Sequence, residues 1–450
     1  MSHIPVVTSG SYPVRSGNVV RPLIDGVPTF RRIAEVIEAA QHSVWLTVAF
    51  FADDFRMPGG SLFDVLDRAV ARGVEVRVIF WRPNPESRGL GRTFSGSQAD
   101  RDMLTARGSR LRIRWDRAHA HYLHHQKSWL VDAGRSTEVA FVGGINLTAQ
   151  AVGSPGHSEG HRHDIYIEVA GPAATDVHHN FVQRWNEASE RLPDDGRWSN
   201  EVDDQLAFPV RLSALRGQTR VQIQRNVHRG RYHDGHPTPG GSSYPISDGE
   251  RSILDQYLLA IAAAGDAIYI ENQAIPVPRI AKALAQALER GLAVVVLVPA
   301  TPEARVRASR QNPEYRELFD RVAALGRYER FALAGIAARD AKGQRRDIYV
   351  HGKITLVDDA WATIGSCNLH AGSMYGHTEM NVSLWDPEVV RALRCTLLEE
   401  HLGLDTAQLD VRSALCLYRE VAQENRRMRD AGEHEWQGLV YRLDPATYAE

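Results

Sequence analysis

The pattern His-x-Lys-x4-Asp occurs twice in this chain, at His125–Asp132 and at His351–Asp358. Each copy is followed by a glycine-bearing turn, an asparagine and then an acidic residue that opens another strand-like segment. One His-x-Lys pair is an ordinary surface combination, but two copies with the same ordered followers indicate an internal repeat and therefore two similar halves. The matching members are, in the first copy, His125, Lys127, Asp132, Gly143, Gly144, Asn146 and Asp164, and in the second, His351, Lys353, Asp358, Gly365, Ser366, Asn368 and Glu379.

Each copy has the pattern of a buried strand, a turn and a second strand. Because side chains alternate along a strand, residues i and i+2 lie on the same face, and each histidine is expected to stand beside its lysine. The aspartate lies at an odd offset from both. Asp132 and Asp358 are therefore predicted to point away or to sit in the turn, where they fix the strand. The later acids, Asp164 and Glu379, are candidates to hold a histidine ring in one tautomer.

The segments around the motifs extend the repeat. VWLTVAFF (from Val44) matches AIYIENQ (from Ala267), and GVEVRVIF (from Gly73) matches GLAVVVLV (from Gly291). Such continuous apolar runs, with helical patterns between them, are typical of strands covered on both faces. The sequence predicts an α/β fold of two similar lobes, each a mostly parallel sheet flanked by helices, with the functional site at the pseudo-twofold interface.

The length of the chain agrees with two lobes. At 450 residues it suits two domains, placed here at 1–210 and 211–450, because single cores tend to split at this size. The formal net charge of -2 gives no global basic footprint, which argues against nucleic acid as the partner.

The sequence contains no run of about 18 apolar residues, so no transmembrane segment is predicted. Its N-terminal stretch lacks the charged start and apolar core of a signal peptide. The three cysteines, Cys367, Cys395 and Cys416, do not suggest a disulfide framework. A cytoplasmic monomer is expected, and export without a cleavable signal is left open.

The duplicated side chains suit displacement at a phosphodiester. That reaction needs a nucleophile, a proton donor for the leaving oxygen and positive charge around a phosphorane. One neutral imidazole can attack phosphorus and become a phosphohistidine, while the other, protonated, gives its proton to the departing oxygen. Lys127 and Lys353 would bind the non-bridging oxygens, and Asn146 and Asn368 would donate amide hydrogens to them. The scheme requires no metal or other cofactor, and the sequence does not show which histidine attacks.

On these motifs the chain resembles the phospholipase D superfamily, with both catalytic motifs in one polypeptide. The stretches GPAATDVHHNFVQRWN, GERSI, IYIENQ and EEHLG are similar to segments that accompany the motifs in phospholipases D and related phosphatidyltransferases. The resemblance implies that His125 is the nucleophile and His351 the general acid, with Asp164 and Glu379 orienting the rings. It implies a phospholipase D that hydrolyses glycerophospholipids to phosphatidic acid, or transfers the phosphatidyl group to an alcohol, in peripheral contact with a membrane surface.

The closest alternative is a phosphatidyltransferase such as a cardiolipin synthase, which commonly carries N-terminal membrane helices that this sequence lacks. A nuclease of the same superfamily is a further alternative, and it predicts activity that falls steeply with salt. A non-catalytic lipid-binding scaffold would be expected to have lost a motif histidine or lysine, and none is missing. The preferred headgroup and the balance between water and alcohol as acceptor do not follow from motif spacing.

Two features depart from a symmetric site or compete with it. The first copy has Gly144 where the second has Ser366, so one hydroxyl donor is missing and reduced symmetry is expected. Closely spaced histidines at 119–125 and at 157–163 are a pattern that zinc sites use. Without an accompanying cysteine pair they are interpreted as polar residues lining an entrance, and no metal is expected.

Overall fold

The computed structural model of the chain describes residues 3–87, 89–119, 121–157, 160–189 and 204–450. The strands form two connected sheets, one from each half. The strands of the first half are β1 (Arg15–Ile24), β2 (Ser43–Val48), β3 (Glu75–Trp81), β4 (Arg112–Asp116), β5 (Ser128–Val131), β6 (Val139–Gly143) and β7 (Ile165–Ala170). Those of the second half are β8 (Thr219–Val227), β9 (Glu250–Arg251), β10 (Ala267–Asn272), β11 (Ala293–Leu297), β12 (Phe331–Arg339), β13 (Arg345–Ile348), β14 (Lys353–Val357), β15 (Trp361–Gly365), β16 (Glu379–Trp385) and β17 (Val440–Leu443).

Helices cover both sheets. Those of the first half are α1 (Gly26–Ala39), α2 (Leu62–Ala71), α3 (Gln98–Ala106) and α4 (Ala174–Asn186). Those of the second half are α5 (Ser252–Ala263), α6 (Pro278–Glu289), α7 (Ala304–Gln311), α8 (Arg316–Leu325), α9 (Ala371–Tyr375), α10 (Pro387–Leu402) and α11 (Val411–Asp430). In the described ranges, no helix combines the length and the apolar character needed to cross a bilayer.

The two sheets repeat one strand order. The first runs β4-β3-β2-β5-β6-β7-β1, and the second runs β12-β11-β10-β14-β15-β16-β8. The apolar runs from Val44 and Ala267 form the equivalent strands β2 and β10, and every residue of both strands is buried. Strand β1 also pairs with β8, which connects the sheets. The predicted internal repeat and the α/β class are confirmed.

Among the strands named above, parallel pairing joins three neighbours in each sheet, β2-β3-β4 and β10-β11-β12. The motif strands and those beyond them pair antiparallel, so each sheet is mixed where the sequence predicted mostly parallel pairing. The reason is the length of the connections. Only a short turn joins β5 to β6 and β14 to β15, and a parallel pair would need a crossover of a dozen or more residues.

The packing places the motif strands in the middle of the molecule. One hydrophobic core takes side chains from both sheets and from α4, α10 and α11. Two outer cores pack α1 and α2 on the first sheet and α5, α6 and α8 on the second. The domain boundary predicted between residues 210 and 211 falls in an irregular segment and stays a prediction.

Candidate active site

The two motif histidines meet at the seam between the halves. Each motif begins just before its strand, where the backbone bridges to the other half of the chain. The His125 N–H donates to the carbonyl of Thr378 at 2.9 Å, and the His351 N–H donates to the carbonyl of His163 at 2.7 Å. These bridges bring residues far apart in sequence to one place, and they fix the position of each histidine relative to the opposite half.

Each ring is held by the acid of the other half. His125 Nδ1 lies 3.0 Å from both carboxylate oxygens of Glu379, and His351 Nδ1 lies 2.5 Å from Asp164 Oδ2. All four side chains are buried. A carboxylate on Nδ1 fixes the tautomer that carries its proton there and leaves the lone pair on Nε2. Both acids were predicted as ring partners from the sequence, and the structure adds the crossed pairing.

Both histidines border one cavity of about 360 Å³, together with Asn146 and Asn368. Because each Nδ1 faces its carboxylate, each Nε2 points to the opposite side of the ring, toward this shared space. The side-chain oxygens of both asparagines are buried without a hydrogen-bond partner among the described residues. The Asn368 amide nitrogen lies 3.5 Å from His370 Nε2, and both unpartnered oxygens leave hydrogen-bonding capacity at the cavity.

Further side chains around this cavity escaped the sequence analysis. They are polar or cationic and lie in loops, in a short helical turn or, for Arg305, at the start of α7, without motif spacing. They are Gln150, Arg162, Gln273, Arg305, His370 and His377. Gln273 follows the strand β10 that the repeat identified, so its proximity to that strand end was the one signal available. The positions of the other residues depend on how loops and helix ends fold over the site.

The motif lysines lie beside their histidines, as strand alternation predicted. Lys127 Nζ donates to the carbonyl of His125 at 2.7 Å, and Lys353 Nζ donates to that of His351 and to Gln273 Oε1 at 3.2 Å. Both side chains are buried. Their predicted contact with non-bridging phosphate oxygens stays a prediction.

Burial shifts the pKa values of the motif histidines, the motif lysines and the two ring-holding acids toward their neutral forms. Burial, reinforced by the lysine cations, lowers the pKa of His125 and His351 well below the ordinary value. Burial raises the pKa of Asp164 to about 7 and raises that of Glu379. Both shifts disfavour separate charges on a histidine and its carboxylate. A phosphodiester anion would favour the imidazolium form, so the general acid becomes charged when substrate binds.

The lysines set an expected alkaline limit on substrate capture. Burial lowers the pKa of Lys127 to about 7 and that of Lys353 to about 8, so their charge is lost as pH rises through this range. We expect kcat/KM to fall on the alkaline side of pH 7 to 8. The fall in kcat should come at higher pH, because bound phosphate stabilises both ammonium groups. Steady-state profiles of both parameters test this, and a kcat/KM that stays flat to about pH 9 would contradict it.

The glycine–serine asymmetry has a steric basis. In the second half the Ser366 hydroxyl donates to Glu379 Oε2 at 2.5 Å, so it supports the acid that holds His125. In the first half, a Cβ added at Gly144 would lie 2.4 Å from Asp164 Oδ1. Serine does not fit there while Asp164 keeps its place. The flanking glycines, Gly143 and Gly365, are equally crowded by the next strand.

Gly144→Ser is therefore expected to lower kcat about tenfold to a hundredfold, because it displaces Asp164 from His351. The matched change on the other side, Ser366→Gly, removes the hydroxyl that donates to Glu379 and accepts the Met380 N–H. It creates no clash and should cost less than about tenfold. Comparing kcat for the two variants checks the asymmetry. Full activity of Gly144→Ser would show that Asp164 need not occupy this position.

The motif aspartates lie in turns, away from the cavity. Asp132 Oδ1 accepts the backbone N–H groups of His42 and Ser43 at 2.7 and 3.2 Å, and Asp358 Oδ1 accepts those of Asp266 and Ala267, both at 2.8 Å. Both aspartates have positive φ, at 53° and 55°. Each carboxylate thus ties the end of a motif strand to the start of its neighbour.

Asp132→Asn is expected to cost stability and spare kcat. Burial raises the Asp132 pKa, but hydrogen bonds from Thr137 and the backbone outweigh it and hold the pKa below its ordinary value. Stability from this charge is therefore present above the unfolded pKa and lost as pH falls through the folded one. Asparagine tolerates positive φ, so the loss should be about 1–2 kcal/mol at neutral pH and should shrink in acid. Urea unfolding of the wild type and the variant at neutral and at acidic pH measures this loss. An equal loss of unfolding free energy at both pH values would contradict the prediction.

Comparison with known families agrees with this geometry. The sequence profile of the family "Cardiolipin synthase, PLD-like domain" matches residues 33–185 and 257–400, more than half of the chain, and that of "Phospholipase D" matches residues 156–276. The chain belongs to the phospholipase D superfamily, and the predicted resemblance is confirmed.

Individual relatives are distant. Cardiolipin synthase A of Pseudomonas entomophila is 27% identical over 361 residues, which cover 80% of this chain and 64% of that protein. Phospholipase D alpha 2 of Oryza sativa subsp. japonica is 25% identical over 551 residues, which cover 90% of this chain and 66% of that protein. This chain therefore matches less than two thirds of the length of either relative.

A solved structure shares the fold. Phosphatidylserine synthase of Haemophilus influenzae superposes with a TM-score of 0.55 at 13% identity, covering 84% of both chains. At this identity the likeness concerns the arrangement of the chain alone.

Proposed function

We propose that this protein is a phosphatidyltransferase of the cardiolipin synthase type, which moves a phosphatidyl group from a donor phospholipid to an alcohol through a phosphohistidine. Sequence analysis placed phospholipase D hydrolysis first and this transfer second. The family profile and the cardiolipin synthase relative favour transfer. The observation that carries the phosphohistidine chemistry is the crossed pairing, which aims two imidazole Nε2 atoms into one cavity.

The first step forms a covalent intermediate. His125 Nε2 attacks phosphorus, so a P–N bond forms as the P–O bond to the leaving alcohol breaks. His351 donates its Nε2 proton to the leaving oxygen, and Asp164 stabilises the imidazolium before that transfer. Glu379 stabilises the positive charge that develops on His125. The choice of His125 as nucleophile follows the family resemblance.

The second step reverses the first. The acceptor alcohol gives its proton to His351 Nε2 while its oxygen attacks phosphorus, and the P–N bond breaks. Lys127, Lys353, Asn146 and Asn368 would stabilise the extra negative charge of both phosphoranes. If water enters instead of an alcohol, the same steps give phosphatidic acid.

The walls of the cavity favour an anionic lipid. Arg162 and Arg305 border it, and both act on the buried histidines as nearby positive charges. On another side, Leu90 is 45% exposed and lies with Phe50 at the same cavity, offering apolar contact for an acyl chain. Phosphatidylglycerol, which combines a phosphodiester anion with free hydroxyls, fits both the donor and the acceptor role.

Product analysis tests the proposal. Purified protein is incubated with vesicles of phosphatidylglycerol, of phosphatidylcholine, or of both, with and without ethanol, beside the His125→Ala variant. Diphosphatidylglycerol and free glycerol from phosphatidylglycerol alone are expected, as is phosphatidylethanol when ethanol is present. Phosphatidic acid as the sole product would favour hydrolysis over transfer. Turnover of a nucleic acid but of no lipid would overturn the lipid substrate.

A further inference from the structure

A second cluster of ionisable side chains lies behind the Asp164–His351 pair, outside the cavity. It contains Asp25, His157, His163 and Glu400. The first three are fully buried, and the Glu400 side chain is 9% exposed. One candidate ligand atom from each residue lies within 4.8 Å of the other three. We propose that these four side chains bind a zinc ion that positions Asp164 and joins the two halves of the chain.

The spacing of the ligand atoms suits a tetrahedral ion. His157 Nε2 lies 3.2 Å from His163 Nδ1, 3.3 Å from Asp25 Oδ2 and 3.3 Å from Glu400 Oε1. His163 Nδ1 lies 3.1 Å from Asp25 Oδ1. Zinc bonds to nitrogen and oxygen of about 2.0–2.2 Å give a tetrahedron with edges of roughly 3.3–3.5 Å. His157 Nε2 thus lies near coordination spacing from one atom of each other residue, Asp25 offers a different oxygen to each histidine, and all candidate ligand atoms lie within 4.8 Å of one another. Two imidazoles with two carboxylates form a donor set that zinc accepts.

The outer side of each histidine has the partner that metal-bound imidazoles require. His157 Nδ1 lies 3.1 Å from the carbonyl of His161, and His163 Nε2 lies 3.0 Å from Glu271 Oε2. The Tyr269 hydroxyl donates to the other oxygen of Glu271 at 2.7 Å. An N–H donated outward to a carbonyl or a carboxylate leaves the inner nitrogen with its lone pair directed at the metal.

The carboxylates are also oriented from outside. The backbone N–H of Asp164 donates to Asp25 Oδ1 at 3.1 Å, and that of Gly156 donates to Glu400 Oε1 at 2.8 Å. A purely hydrogen-bonded cluster would instead have to pair two histidines with three buried acids through protons alone. The two arrangements differ in a measurable way, because only one of them retains a metal.

The position of the cluster indicates what the ion would do. Asp25 directly precedes α1, and the two histidines lie in the segment before β7, all in the first half. Glu400 lies on α10 in the second half. The His163 carbonyl accepts the N–H groups of His351 and Gly352 at 2.7 and 3.1 Å. The ion would therefore hold the backbone next to Asp164 and His351 without touching the substrate, which makes its ligands positioning residues.

Metal content is the test. The full chain is purified, incubated with Zn²⁺, passed through gel filtration and assayed for zinc by mass spectrometry, beside His157→Ala, Glu400→Gln and the control His178→Asn. His178 forms another buried histidine–carboxylate pair, 3.0 Å from Glu138, and among the described residues this pair belongs to no cluster of three candidate ligands. We expect about one zinc per chain for the wild type and the control, almost none for His157→Ala, and at least about tenfold weaker binding for Glu400→Gln.

Two readouts keep the proposal testable if His157→Ala does not fold. Chelation should lower the wild-type unfolding midpoint by about 5 °C or more, with recovery on adding zinc, and should shift the Glu400→Gln midpoint less. Cobalt in place of zinc should give the strong visible absorption of a tetrahedral site. A wild-type chain that retains no zinc and whose midpoint ignores it would overturn the proposal. Equal zinc in the wild type and both ligand variants would place the metal elsewhere and overturn it too.

Discussion

His125→Ala and His351→Ala are each expected to lower turnover of phosphatidylglycerol by about four orders of magnitude or more, because one site needs both rings. The two variants should differ with an activated substrate. A phosphodiester with an aryl leaving group needs no proton donor, so His351→Ala should still release one equivalent of aryl alcohol and then stall as a phosphohistidine. His125→Ala should release none.

Rapid quench with a radiolabelled aryl ester measures this difference. The covalent adduct should be stable to base and labile to acid, as a phosphoramidate is. An adduct in His125→Ala but not in His351→Ala would reverse the two roles. Substantial turnover of the lipid by either variant would contradict a single site that uses both histidines.

Glu379→Gln and Asp164→Asn are expected to cost about 10²–10⁴-fold in kcat, since an amide on Nδ1 no longer stabilises imidazolium or enforces the tautomer. The crossed pairing makes the two losses distinguishable. Asp164→Asn weakens His351, so the aryl substrate should restore its first step. Glu379→Gln weakens His125, so the same substrate should not rescue it.

Burst amplitude and rate with the aryl ester separate these outcomes. Glu138→Gln is the matched control, because Glu138 is a buried carboxylate that contacts a histidine, His178, at a position remote from the site. It should leave the kcat of the natural reaction within about threefold. Rescue of Glu379→Gln but not of Asp164→Asn would show that each acid serves the histidine of its own half.

Much of the fold followed from local patterns. The apolar runs from Val44 and Ala267 are long enough to identify central strands, and the matching spacing of the two motifs identified the repeat. The extent of antiparallel pairing was underestimated, because the turns at Asp132 and Asp358 connect strands directly and leave no room for a crossover helix. The short turns were visible in the sequence and imply antiparallel pairing. The apolar character of the strands does not indicate their direction.

The motif residues of the site could be predicted individually, but their arrangement and the other residues of the cavity could not. Motif spacing named Asp164 and Glu379, yet their crossed attachment depends on how the two sheets face each other, which no local pattern encodes. The histidines at 157–163 were interpreted as entrance residues because their spacing does not show which distant side chains they contact. Asp25 and Glu400 complete that cluster from opposite ends of the chain. Glu400 lies in the EEHLG segment, but the sequence does not show that this segment meets the histidines.

The stereochemical course at phosphorus tests the central claim most directly. Phosphatidylglycerol with a phosphorus centre made chiral by sulfur or oxygen isotopes is transferred to a second alcohol, and the configuration of the product is determined. Two successive in-line displacements, first by His125 and then by the acceptor, predict overall retention. Inversion would show a single direct displacement and would contradict a covalent phosphohistidine.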